Sequence, residues 1–165
     1  MKTFIRVLLT LPALVCAAPW VIAGDQPFAW PHGARAAVSL ACDDALDSQL
    51  DHAIPALDKY GLKGTFYLIL GGESVRVRMA EWRAAAANGR ELGNHTLFHQ
   101  GSRSVPGHEW VTAADDLDQV SVAQLAAQIR HGNTMLQAID GRTERTFTTP
   151  CGDLKAGGSS TRSSS

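Results

Sequence analysis

The chain has 165 residues, 45% of them apolar and 19% charged, a balance that can build one buried core and excludes global disorder. Fifteen Lys and Arg stand against sixteen Asp and Glu, a formal net charge of -1, which excludes a polybasic surface for nucleic acid or anionic lipid. The length fits a single ordinary domain and leaves no room for a second.

The chain opens Met1-Lys2-Thr3-Phe4-Ile5-Arg6, with two positive charges. Residues 7–18 are then almost entirely apolar, and Val21-Ile22-Ala23 follows. This pattern predicts a secretory signal peptide over residues 1–23, cut before Gly24, and hence a secreted or periplasmic location. The apolar run falls short of the ~20 residues that span a bilayer and contains Pro12, so no stable membrane insertion is expected once the leader is removed. Cys16 leaves with it. Cys42 and Cys151 remain, too few for a disulfide framework; they form one bridge or stand as two separate thiols.

Residues 24–35 hold two prolines and aromatic anchors and read as an arm leading into a domain over residues 36–153. Residues 36–41 form a short apolar run that ends abruptly in Cys42-Asp43-Asp44, as a buried parallel strand feeding a polar loop does. Pro55 near its start and Gly61 past its end mark a helix over residues 54–60. Residues 64–70, rich in β-branched and aromatic side chains and closed by Gly71-Gly72, predict a second buried strand. The Gly pair is too sparse for a phosphate-binding loop.

An alanine-rich run predicts a helix over residues 79–88, stopped by Gly89, and residues 90–95 a short strand. Residues 100–114 read as a long polar loop. Helical spacing resumes over residues 115–139 through Leu117, Val120, Leu125, Ile129 and Leu136, and Asp140-Gly141 ends it. Residues 146–149 predict a fourth strand, with Pro150-Cys151-Gly152-Asp153 as a loop at its end. Alternating strands and helices predict an α/β fold with a parallel sheet or barrel. Residues 154–165, Ser- and Gly-rich with little that is apolar, predict a disordered tail. Trp82 and Phe66 read as core; Trp110, in the long loop, is either a platform for a sugar ring or a loop anchor.

Four polar side chains fall at predicted strand ends: Asp43, Asp44, His95 and His99. A carboxylate with two imidazoles suits Zn²⁺, Co²⁺ or Ni²⁺, and three protein ligands leave a coordination position open. In His95-Thr96-Leu97-Phe98-His99 the i, i+4 spacing brings both rings to one side if the segment turns helically. Of two neighbouring Asp, one can ligate a metal while the other takes a proton from water; the competing role for the pair is a helix N-cap.

Three segments carry a family resemblance: Val38-Ser39-Leu40-Ala41-Cys42-Asp43-Asp44-Ala45, Gly61-Leu62-Lys63-Gly64-Thr65-Phe66-Tyr67-Leu68 and Glu91-Leu92-Gly93-Asn94-His95-Thr96-Leu97-Phe98-His99. In order and spacing they resemble the motifs of the polysaccharide deacetylase (NodB-homology, carbohydrate esterase 4) family. The resemblance implies a distorted (β/α) barrel with a parallel sheet, partial and incomplete at the C-terminus. It implies Asp43 as general base, Asp44, His95 and His99 as ligands of a divalent transition metal, most simply zinc, and an oxyanion donor within Pro150-Cys151-Gly152. The implied partner is an N-acetylated polysaccharide or oligosaccharide, and the implied reaction releases acetate and a free amine.

The chain departs from the family's pattern at Cys42, where an aromatic is usual, and at Thr148, where an Arg that orients the base is usual. The family's late Trp and Leu-His motifs, the latter supplying a general acid, are expected beyond Asp153, where this chain has its Ser-rich tail. The expectation is weak or absent activity, with a non-catalytic metal- or glycan-binding remnant as the alternative. His108 and His131 are the candidate substitute acids, each more simply a surface histidine.

Overall fold

The structure, a computed structural model, describes residues 29–157 and the backbone of residues 159–160. The leader expected over residues 1–23 lies outside these residues. The chain divides into two units, residues 1–37 and residues 38–165. Within the first, residues 29–37 are exposed and carry one 3₁₀ turn at Pro31–Gly33.

The second unit is built on β1 (Ala41–Cys42), β2 (Thr65–Leu68) and β3 (Glu91–Asn94), which form a parallel sheet in that order. Ala41 pairs with Thr65, Thr65 with Glu91 and Leu68 with Asn94. A fourth neighbour is a single parallel bridge between Asn94 and Phe147, not the strand predicted over residues 146–149. Its bonds run from Asn94 N–H to the Thr146 carbonyl (3.0 Å) and from Thr148 N–H to the Asn94 carbonyl (3.2 Å). The crossovers are α1 (Ile54–Lys59), α2 (Glu73–Ala87) and α3 (Val122–Asp140). Parallel neighbours joined by helical crossovers make this a partial, distorted (β/α) barrel of the predicted α/β class.

Several element boundaries differ from the sequence reading, each for a local reason. β1 spans two residues rather than residues 36–41, because among the described residues its edge position gives it a ladder partner only in β2, and Val38 is 83% exposed. A π-helical segment, Gln49–Ala53, runs into α1. The second helix starts at Glu73, six residues before the alanine run, with Gly72 as N-cap. It kinks at Arg78, whose guanidinium is drawn to Asp51 and Glu81 at 2.6 Å and to Asp47 at 3.3 Å.

The third helix starts at Val122 rather than residue 115, because Ser121 and Gln124 form a capping box: Gln124 N–H donates to Ser121 Oγ (3.2 Å) and Ser121 N–H to Gln124 Oε1 (2.8 Å). Residues ahead of it form 3₁₀ turns at Ala113–Asp115 and Leu117–Gln119. The predicted stop holds: Gly141 adopts φ 78°, a left-handed C-cap that costs a side-chain-free residue little.

The core forms where the sheet meets α2 and α3. Phe66, Leu68, Val75, Trp82, Leu92 and Leu136 are completely buried, and the Phe66 and Trp82 rings sit 6.0 Å apart. Both aromatics are core, as the sequence indicated. Gly93 is required on β3 because the Tyr67 ring occupies the space where its Cβ would lie.

The tail expectation needs correction at its start. Lys155–Ala156 pairs antiparallel with Ser159–Ser160 as β4 and β5, and Ala156 is 1% exposed against Leu117 and Leu125. A methyl group suffices to pack here because the neighbouring leucines supply the apolar surface. Among the described residues no helix is long and apolar enough to cross a membrane.

Candidate metal centre

Parallel strands place their C-terminal ends, and the loops that follow, on one side of the sheet. Asp43 and Asp44 follow β1, His95 follows β3, and Thr148, Thr149, Cys151 and Gly152 follow the Phe147 bridge. Together with His99 and Trp110 they line one cavity of about 540 Å³. Pro150, buried, starts the 3₁₀ turn Pro150–Gly152 beneath it.

Asp44, His95 and His99 converge, their ligand atoms all within 4.8 Å of one another. Asp44 Oδ1 lies 3.3 Å from His95 Nε2 and 3.2 Å from His99 Nε2, and the imidazole centroids are 4.9 Å apart, edge to face. Two ligand atoms each ~2.1 Å from a tetrahedral ion would sit roughly 3.4 Å apart, so this donor set fits a divalent transition ion. His95 Nδ1 stands 3.0 Å from the Thr148 carbonyl, which can only accept, so Nδ1 carries a proton and Nε2 is the ring nitrogen that faces Asp44. Burial, then the neighbouring His95, pushes the His99 imidazole below its ordinary pKa against the pull of Asp44, favouring the neutral, ligating form.

The two rings do not converge through a helical turn, as the i, i+4 spacing suggested. Thr96 and His99 adopt φ values of 65° and 51°, and the segment is a loop. Asp44 (φ 78°), Ala45 (φ 54°) and Cys151 (φ 56°) share this left-handed backbone, so the loops that wall the cavity concentrate strain of about 1–3 kcal/mol per residue. Tertiary hydrogen bonds hold it. Asn94, completely buried, donates from Nδ2 to the Ile129 carbonyl (2.9 Å) and to Asn133 Oδ1 (2.7 Å), while its Oδ1 accepts from Thr96 N–H (2.8 Å). Thr96 Oγ1 then accepts from His99 N–H (3.0 Å). Sequence reasoning missed Asn94, Thr96 and the Thr148 carbonyl as positioning groups; the available signal was a polar residue ending a buried strand.

The Asp pair caps no helix. Asp44 turns toward the imidazoles, and the Asp43 carbonyl accepts from Gln49 Nε2. The Asp43 carboxylate is exposed at the cavity, and among the described residues no side-chain hydrogen bond holds it. Cys42 and Cys151 are free thiols. Burial and the Asp43 charge push Cys42 above the ordinary thiol range; burial, Asp153 and Asp44 do the same for Cys151. His131 is exposed on α3, away from the cavity lining. His108 is no free surface residue: its Nδ1 donates to the Ser102 carbonyl (2.8 Å), with Asp153 Oδ2 at 3.7 Å, and it too stands outside the lining.

Comparison with known proteins places this geometry. A domain model described as polysaccharide deacetylase matches residues 31–159. A gellan lyase from a Bacillus species is 33% identical over 88 residues, covering 52% of this chain and 3% of that protein. The peptidoglycan deacetylase PdaC of Bacillus subtilis superposes with a TM-score of 0.54 at 21% identity, over 71% of this chain and 50% of that one. A CE4 family pseudoenzyme from Bacillus anthracis gives 0.53 at 21% identity, over 71% and 36%. The chain thus spans half or less of the length of these relatives, and the two structural likenesses show the shared fold. With the domain model matched from residue 31 to residue 159, the chain belongs to the polysaccharide deacetylase family.

Proposed function

We propose that this chain is an exported, metal-dependent hydrolase that removes N-acetyl groups from a glycan. The observation that carries this reading is the convergence of Asp44, His95 and His99 beside a second, free carboxylate in one open cavity. Asp44, His95 and His99 would hold the ion, for which zinc is the simplest choice and cobalt or nickel fit the same donors. When bound, such a cation supplies Lewis acidity toward the acyl oxygen of the substrate.

The chain's own residues do the rest. The Asp43 carboxylate takes the proton of the attacking water. Gly152 and Asp153 N–H groups close the Pro150 turn on the Thr149 (3.4 Å) and Pro150 (3.0 Å) carbonyls, and the Cys151 N–H on the cavity wall would donate to the oxygen as it gains charge. Water adds to the carbonyl carbon, the proton taken by Asp43 passes to the amide nitrogen through solvent in the open cavity, the carbon–nitrogen bond breaks, and acetate and a free amine leave. The test is acetate release from N-acetylated oligosaccharides by wild type and Asp43→Asn, with and without a chelator. Release that persists in Asp43→Asn or in the chelated protein overturns this assignment.

A second reading, a metal- or glycan-binding protein without turnover, is favoured by one observation: position 148 is Thr, and the Asp43 carboxylate has no side-chain partner to orient it among the described residues. Zinc binding without acetate release would select it. Export is likewise a proposal, resting on the charged start and apolar run of residues 1–23; N-terminal sequencing of the mature protein should begin at Gly24.

A further inference from the structure

The loop that follows the imidazole pair exposes two large apolar side chains, Val105 and Trp110, and of these only Trp110 lines the cavity. Trp110 is 60% exposed and lines the same cavity as Asp43, Asp44, His95 and His99. Its neighbour Val111, 2% exposed, anchors the loop instead. Turns fix the backbone around it, with His108 N–H donating to the Val105 carbonyl (3.0 Å) and Val111 N–H to the His108 carbonyl (2.9 Å). The His108 ring packs against the indole at 5.7 Å, tilted by 54°. That imidazole is in turn tied to the Ser102 carbonyl and stands beside Asp153, next to the Cys151 and Gly152 wall. An indole carried on a turn-fixed backbone, exposed at the cavity and in contact with one ring, is placed for a ligand rather than for the core.

We propose that Trp110 is the platform on which a pyranose ring of the glycan stacks, and that His108 sets the angle of that platform. The inference rests on the glycan reading above and assigns the residue that selects a sugar over other acetylated molecules. The C–H face of a pyranose is apolar and matches a flat indole, while its hydroxyls remain in water at the open cavity mouth. His108 acts through Trp110 and is a positioning residue.

The experiment is calorimetric titration of the full chain, as wild type, Trp110→Ala, Trp110→Phe and His108→Ala, with an N-acetylglucosamine oligosaccharide and separately with zinc. Acetate release is followed in parallel from the oligosaccharide and from a small acetate ester without a sugar ring. Trp110→Ala should weaken oligosaccharide binding about tenfold, with a matching rise in KM and little change in kcat. Trp110→Phe should keep most of the affinity, and His108→Ala should lose part of it. Zinc affinity should stay at wild-type level in all three, and the loss on the oligosaccharide should exceed any loss on the small ester. Equal oligosaccharide affinity in wild type and Trp110→Ala overturns the proposal and leaves the hydrolase reading intact. Stacking losses as described in a protein that releases no acetate uphold the platform and overturn the hydrolase reading instead.

Discussion

Asn94→Ala tests how the loop that carries His95 and His99 is supported. The substitution removes three hydrogen bonds of a completely buried side chain, two to α3 and one to Thr96 N–H. Thr96 is 1% exposed, so its N–H is left without water, a loss of about 1–3 kcal/mol. The void left by the amide adds about 1 kcal/mol. Together the cost is roughly 3 kcal/mol, a fall of about 10 °C in Tm for a domain of this size. Because Thr96 also accepts the His99 N–H, zinc affinity should fall by about tenfold, the low end of what losing a ligand's support costs. Urea denaturation followed by circular dichroism, with zinc titration on the same samples, reads both effects. A stability change under about 1 kcal/mol together with unchanged zinc affinity would refute the claim that Asn94 positions the loop.

Gly132→Ala should damage the same joint from the other side: its Cβ would stand 2.7 Å from Asn94 Nδ2, and overpacking of this kind costs about 1–3 kcal/mol in the same denaturation assay. His99→Ala should weaken zinc binding at least tenfold by calorimetry, whereas Asp43→Asn should leave it nearly unchanged while abolishing acetate release. Burial pushes the Asp140 carboxyl up, but Arg145 and the Arg142 N–H outweigh it and hold its pKa below the ordinary value. Its contribution is therefore full above about pH 5 and is lost as pH falls through the lower folded value; because both side chains of the pair are buried, Asp140→Asn should cost about 3–5 kcal/mol at pH 7 and progressively less in acid titrations.

The sequence by itself determined the alternation of strands and helices, the buried aromatics Phe66 and Trp82, the Gly141 helix stop and the residues placed at strand ends. These are local signals. Apolar runs, caps and Gly punctuation act within a few residues, and a parallel sheet then carries the residues after each strand to a single side. Tertiary structure decided what depends on partners distant in sequence. The i, i+4 histidines converge through left-handed backbone at Thr96 and His99, held by Asn94 and α3 some 35 to 39 positions along the chain, and not through a helix. The tautomer of His95 is set by the Thr148 carbonyl, 53 residues away. Ala156 packs in what composition marked as an unpackable tail, because Leu117 and Leu125 reach it. Trp110 had two readings on the sequence, platform or anchor; the burial of Val111 beside it leaves the indole free to face the cavity. A residue's type and spacing state which contacts it can make, and only the folded chain brings the partners that decide which ones it does.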